Sequence, residues 1–257
     1  IVGFVLLTIT LAFVGSLISR PTTLAVTDSP ASLLLQVRDD EGRAVHSFAV
    51  LRKGQTWLQL DPDLMLTTET TVTSLADAAS GLNLNSPKQW FADTYGLKFE
   101  ETWVIDRVGL NALVDLIGGV SVQPDADVML RLGEKPVLYV SKSENIRLDG
   151  TAASIYATSS EARPQRFQQV WNGLMAEIDA AYLESVLPAV GNSSRSSMVL
   201  AKLIQWIEFQ QLLTAEKKVD WLQAKTELGL IENQYQPILR VAAIEQMAAL
   251  GMERVNP

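Results

Sequence analysis

TWVIDRVGLNALVDLIGGVSVQP, residues 102–124, reads as strand, helix and strand. Thr102–Asp106 is β-branched and apolar, which suits a buried strand. Behind it Val108, Leu110, Leu113, Val114 and Ile117 recur at helical spacing, and Gly118-Gly119 ends the run as a helix C-terminus does. Val120–Pro124 then resumes strand texture. A helix between two strand candidates places the chain in the α/β class.

The same alternation extends outward from this unit. On its amino side SLLLQV (32–37) is a short apolar run closed by the charged turn RDDEGR, and HSFAVLR (46–52) and TWLQLD (56–61) flank Lys53-Gly54-Gln55 as a hairpin. TVTSLADAASG (71–81) and SPKQWFADTYG (86–96) read as helical, the second with Ser86 as cap and Pro87 at the first helical position. On the carboxyl side PVLYVSK (136–142) reads as a strand, and a helix begins at Asp149 or Gly150. Val170, Leu174, Ile178 and Tyr182 fall at every fourth position and predict one helix from Arg166 to Tyr182. SSMVLAKLIQWIEFQQLL (196–213) predicts a helix, KVDWLQAK (218–225) a strand and RVAAIEQMAALGM (240–252) a last helix. The expected architecture is an α/β/α sandwich, a central mixed sheet with helices on both faces.

The 257 residues can bury a sizeable core, and one large domain accounts for them. With 21 basic and 29 acidic residues the net charge is −8, which argues against bulk electrostatic binding of nucleic acid or of an anionic membrane surface. Any anion site has to be local. The absence of cysteine rules out disulfides and thiolate metal sites, and the single His46 rules out a histidine-clustered zinc. Residues 1–18, IVGFVLLTITLAFVGSLI, carry no charge and are followed by Ser19, Arg20 and Pro21. A bilayer takes about 20 apolar residues, so residues 1–19 are expected to form one transmembrane helix. Residues 20–30, rich in Thr, Ser and Pro, would then be a linker to a domain at 31–257. A cleaved signal peptide or a buried soluble helix are the alternatives.

Generic catalytic motifs are missing: the sequence has no Walker loop, no G-x-G-x-x-G, no G-x-S-x-G and no HExxH. His46 lies in a strand candidate, where a lone histidine reads as a structural residue before it reads as a catalytic one. Asp39, Asp40 and Glu41, and the pair Asp61 and Asp63, offer hard oxygen ligands suited to Mg2+, or are simply solvated loop carboxylates. Trp171 and Trp206 sit in helical patterns and read as packing residues. The sharpest feature is ATSSEARPQRFQQVW (157–171), which carries Arg163 and Arg166 into a helix start. Guanidinium forks match phosphate oxygens there, and a helix start adds N–H groups. The competing reading is two solvated charges.

At WVIDRVGLNALVDLIGGVSVQPD the sequence resembles the LytR-CpsA-Psr family of membrane-anchored cell-envelope enzymes. Leu113, Val114, Asp115, Gly118, Gly119 and Val120 match its "lvDalGGV" element. LDGTAASIYATSS followed by EARPQRFQQ is similar to the family's "LdGeqALaYaRtR" and "D..R..RQ" blocks, through Leu148, Gly150, Ala153, Tyr156, Arg163, Arg166 and, shifted by one, Gln168. The resemblance implies an α/β/α sandwich on the outer face of the cell membrane. It also implies transfer of a glycopolymer from a polyprenyl-pyrophosphate carrier to peptidoglycan or another wall acceptor. Arginines and a Mg2+-binding aspartate would hold the pyrophosphate, and a hydrophobic tunnel the lipid.

The departures fall on the charged groups. Thr158 and Ser160 stand where the family has the two arginines of "RtR", and QLDPD has Pro62 where "SIPRD" has arginine, with Asp63 retained. The "RsD" element survives as Arg43, its aspartate replaced by Val45. On this resemblance Arg163, Arg166 and Arg43 are the phosphate-binding candidates, and Asp63 and Asp39 the metal candidates. A polyprenyl-linked phosphate, cell-wall glycopolymer or peptidoglycan, and an envelope protein are the implied partners. Several lost contacts imply lost or weakened transfer, unless Lys53, Arg107 or Arg147 replaces them in space.

Overall fold

The computed structural model describes residues 29–68, 70–80, 83–132, 134–142, 145–158, 164–231 and 234–255. The expected anchor, most of the expected linker, and Ser160 and Arg163 lie outside the described residues. Among the described residues no helix is long and apolar enough to cross a membrane.

Six strands form the main sheet: β1 (Ser32–Arg38), β2 (Ala44–Leu51), β3 (Thr56–Leu60), β4 (Glu101–Asp106), β5 (Ser194–Ser196) and β6 (Asp220–Gln223). Their order across the sheet is β5-β4-β1-β2-β3-β6. β1 runs parallel to β4 and β3 parallel to β6, while the remaining pairs are antiparallel, so the sheet is mixed. The helices are α1 (Leu75–Ala78), α2 (Asn85–Tyr95), α3 (Arg107–Leu116), α4 (Gly150–Thr158), α5 (Pro164–Glu177), α6 (Ala180–Ala189), α7 (Leu200–Ala215) and α8 (Val241–Ala249).

Strand alternation sorts the core into two layers. Leu33, Leu35 and Val37 of β1 face a large layer shared with α3, α4, α5, α6 and α7. Leu34 faces a smaller one with Leu75, Phe91, Ala243 and Met247 from α1, α2 and α8. Helices therefore cover both faces, as the sequence alternation predicts. The larger layer is aromatic: Trp57, Trp103, Trp171 and Trp206 are all buried, with Trp57 and Trp171 ring centroids 5.1 Å apart and Trp171 and Trp206 6.2 Å apart. The tryptophans pack, as their helical and strand positions imply.

Local chemistry explains the elements around the site. Asp106 ends β4 and caps α3, its carboxylate accepting the N–H groups of Val108 and Gly109 at 2.9 and 3.0 Å. Asp115, the penultimate residue of α3, accepts the Gly150 N–H at 2.7 Å and so joins the two motif blocks. A Cβ at Gly150 would lie 2.3 Å from Asn111 Oδ1, so only glycine fits that junction.

Three local readings need correction. The predicted helix from Arg166 to Tyr182 is two helices: α5 stops at Glu177, and Asp179 caps α6 by accepting the Ala181 N–H, which leaves Tyr182 exposed. The segment at 71–81 is helical only over α1; Val72–Ser74 pairs with Met65–Thr67 as a small hairpin, in keeping with its β-branched residues. α2 begins at Asn85 rather than after Ser86, and Asn83 Oδ1 rather than Ser86 accepts the first N–H. A further hairpin, Thr226–Ile231 with Gln234–Leu239, escapes the sequence reading.

Candidate functional site

From β1 the chain passes to β2 and β3 on one side, then returns to lay β4 on the other. The carboxyl ends of parallel β1 and β4 thus flank a topological switch point, where open α/β sheets bind ligands. Arg38 and Asp106 meet there, Arg38 Nη2 3.6 Å from Asp106 Oδ2, both largely buried. Arg195 lies opposite Val104 on β5, one pair along on the same face. Burial, and then Arg38 beside it, lowers the Arg195 pKa, and Asp106 opposes that shift.

Arg107, the first residue of α3, reaches across to the end of α4. Its Nε donates to Thr158 Oγ1 at 2.9 Å, and its Nη1 pairs with the Asp40 carboxylate in the β1–β2 turn. A guanidinium therefore occupies the neighbourhood of a position where the resemblance expects arginine. Arg147 goes elsewhere: it donates to Gly118 O and Ile117 O at the end of α3 and pairs with Glu177. Lys53 is at the opposite edge of the sheet, in the turn between β2 and β3.

The sequence candidates separate into two settings. Arg43 is half exposed in the β1–β2 turn, its Nε 2.8 Å from Asp77 Oδ1. The Asp77 hydrogen bond, with Asp63 and Asp39 adding smaller attractions, raises its pKa. Asp77 is held low in turn, first by the Ser74 hydroxyl and then by Arg43. Asp39 uses Oδ1 to accept the N–H groups of Glu41 and Arg43, fixing the turn. Asp63 is exposed and gives its N–H to Asp61 Oδ1. Among the described residues no three His, Asp or Glu side chains are grouped to hold a metal ion.

Arg166 is the buried case. It lies in the first turn of α5 with 7% of its side chain exposed, and its guanidinium lies 5.4 Å from the centre of the Tyr156 ring. Asp125 pairs with it across 3.8 Å from Nε, beyond hydrogen-bond range. Among the described residues Nε and Nη1 of Arg166 and the Tyr156 hydroxyl have no hydrogen-bond partner. Burial raises the Tyr156 pKa, and Arg166 partly offsets this. Buried donors left without acceptors cost about 1–3 kcal/mol each, so among the described residues this pair is an incomplete polar site.

His46 is part of the frame. Its Nε2–H donates to Ala157 O at 2.7 Å, and burial lowers its pKa to about 4 despite that bond. The ring packs 5.8 Å from Phe167 and 6.1 Å from Phe48, so it ties β2 to the end of α4 as a neutral group. Arg38 and Arg195 are the site residues that sequence reasoning missed. Nothing local marks them, because strand pairing brings them to Asp106 from 68 and 89 positions away.

No family model matches the chain, and no curated protein matches it. Solved structures do. TagV from B. subtilis is 17% identical with a TM-score of 0.66, over 87% of this chain and 96% of that one. A LytR-Csp2A-Psr enzyme from Actinomyces oris is 16% identical with a TM-score of 0.63, over 88% and 92%. A structure of TagT bound to LI-WTA is 16% identical with a TM-score of 0.65, over 91% and 94%. At such identities the likeness is one of fold. This chain carries the fold of the LytR-CpsA-Psr enzymes.

Proposed function

We propose that the chain is a membrane-anchored protein of cell-wall glycopolymer assembly, with its folded domain on the extracytoplasmic face, in which transfer activity is lost or weakened. It binds the phosphate head of a polyprenyl-linked ligand, alone or together with a partner enzyme. The observation that carries this reading is Arg166: a buried guanidinium with two N–H-bearing atoms lacking an acceptor among the described residues. Phosphate oxygens are matched acceptors for such a fork. Arg163, three positions earlier, is the second candidate donor, and Arg43 a more exposed third.

Weak transfer follows from charge accounting at the carboxyl edge. A phosphoryl-transfer site keeps cations available for charge that develops on the reacting phosphate. Here Arg38 is paired with Asp106, Arg107 with Asp40 and Arg43 with Asp77. In the aromatic layer under the sheet four tryptophans are at no more than 1% exposure. The lipid tail is therefore expected outside that layer.

Asp63 and Asp39 are the residues that would hold Mg2+, which supplies charge neutralisation when bound to phosphate. They fit it poorly, since the Arg43 guanidinium already draws on both carboxylates. No step of the proposal passes through a metal.

One observation favours a second reading, an active transferase using peptidoglycan as acceptor: Arg107 stands against Thr158. The test is polyprenyl phosphate binding to the parent chain and to the Arg163→Ala plus Arg166→Ala double variant. Loss of charge-assisted bonds worth about 1.5–3 kcal/mol each predicts at least about tenfold weaker binding. Unchanged affinity, with the fold verified by circular dichroism, would leave a purely structural interaction module.

A further inference from the structure

Three non-glycine residues among those described have left-handed backbone, and all three are basic: Arg52 (φ 51°), Lys53 (φ 56°) and Lys217 (φ 53°). Glycine or asparagine relieves such a conformation, so a long basic side chain is a poor choice for the backbone alone. The two tips are neighbours. Arg52 and Lys53 turn β2 into β3, Lys217 precedes β6, and Gln55 O accepts the Asp220 N–H at 2.8 Å between them. Strain retained at one place on a surface points to what the side chains do there.

This amino edge of the sheet is also where the chain joins the domain. Ser29 and Pro30 line an open groove of about 640 Å3 together with Lys53, Glu100, Val199 and Lys202, the last paired with Glu101. Val199 and Leu200 are apolar yet 72% and 38% exposed beside it. Residues 1–18 carry no charge, and only residues 19–28 separate them from Ser29. Ten residues reach at most about 36 Å when fully extended, so an anchor there keeps the amino edge close to the bilayer. β1 carries the carboxyl edge away from it by seven residues, roughly 23 Å.

We infer that the amino edge is a membrane-contact surface: Arg52, Lys53 and Lys217 meet anionic lipid headgroups while Val199 and Leu200 enter the interface. The inference rests on the membrane-anchor reading. Basic side chains beside exposed apolar ones form the pattern that binds anionic bilayers. A chain of net charge −8 is otherwise repelled by such a surface, so Arg52, Lys53 and Lys217 fix which side faces it.

The chain has no cysteine, so single-cysteine labels report one place each. The full chain, labelled with a fluorophore at Val199→Cys or, as the far-edge control, at Glu41→Cys, is reconstituted into phosphatidylcholine–phosphatidylglycerol vesicles containing a spin-labelled lipid quencher. The label at Val199→Cys is expected to be quenched and the one at Glu41→Cys not, with high salt releasing the first. The triple variant Arg52→Gly, Lys53→Gly, Lys217→Gly should keep or raise the melting temperature, because it relieves the left-handed strain. It should lower the ratio of contacting to released domain on the order of a hundredfold. Quenching that survives the triple variant, or is equal in phosphatidylcholine alone, overturns the surface. So does a Val199→Cys label shielded only when another envelope protein is added. Flotation with vesicles but no quenching overturns the surface alone, whereas failure to float overturns the anchor and the surface together.

Discussion

The two edges of the main sheet hold their basic residues on different backbone. At the carboxyl edge Arg38, Arg43 and Arg107 each face a carboxylate of the same chain, and β-pairing or turn geometry holds the partners together. At the amino edge Arg52, Lys53 and Lys217 are kept in a backbone conformation that works against them. The lesson is that a basic residue's setting says more than its presence. Neutralised arginines build a frame, and strained ones mark a surface whose side chains matter. Arg166 is the most buried of these groups, 3.8 Å from Asp125 and with Nε and Nη1 lacking a hydrogen-bond partner among the described residues.

The largest effect should come from the aromatic layer under the main sheet. Trp171→Ala removes a fully buried indole in contact with Trp57 and Phe167 and should cost about 3–5 kcal/mol of unfolding free energy in urea titration. A loss below about 1 kcal/mol would mean that the sheet does not rest on a packed layer.

Acid should act next through His46. Burial holds its folded-state pKa near 4 against an ordinary value of 6.5, so the unfolded chain takes up the proton first. The stabilisation is complete above pH 6.5 and fades as the pH falls towards 4, by about 3 kcal/mol in total. Unfolding measured across that window should be steeper for the parent than for His46→Asn, and equal slopes would contradict a neutral buried imidazole.

Asp106→Ala tests whether the carboxyl-edge pairs are structural. It removes the cap of α3 and the partner of Arg38 together, and about 2 kcal/mol should be lost, the cap alone accounting for about 1. Asp106→Asn keeps the cap geometry and should cost less. The smallest change is expected from Arg43→Ala, because its pair with Asp77 is half exposed and such pairs contribute within about 0.5 kcal/mol. A greater loss would move Arg43 from the solvated group to the frame.

Much of this arrangement can be read in the sequence where local pattern decides it. β1 to β4, α3 and α7 follow from apolar runs and helical spacing, and Asp115 with Gly150 ties the two motif blocks together in space. The break at Ile178 is not visible in the four-residue spacing, since Ile178 is itself buried and only the Asp179 cap marks the new helix. The hairpin at 226–239 escapes because Leu228, Leu230 and Tyr235 alternate on an exposed face rather than a buried one. At the site, Arg166 is legible at a helix start. Arg107 against Thr158, 51 positions away, and Arg38 against Asp106 depend on the folded chain.

Transfer and binding followed on the same sample test the central claim most directly. The full chain is incubated with a polyprenyl-pyrophosphate oligosaccharide and peptidoglycan, with and without Mg2+. Saturable binding that weakens in the Arg163→Ala plus Arg166→Ala variant, with no phosphodiester-linked product, is the predicted result. Robust formation of linked product would contradict it, and would assign the Arg107–Thr158 contact to a working active site.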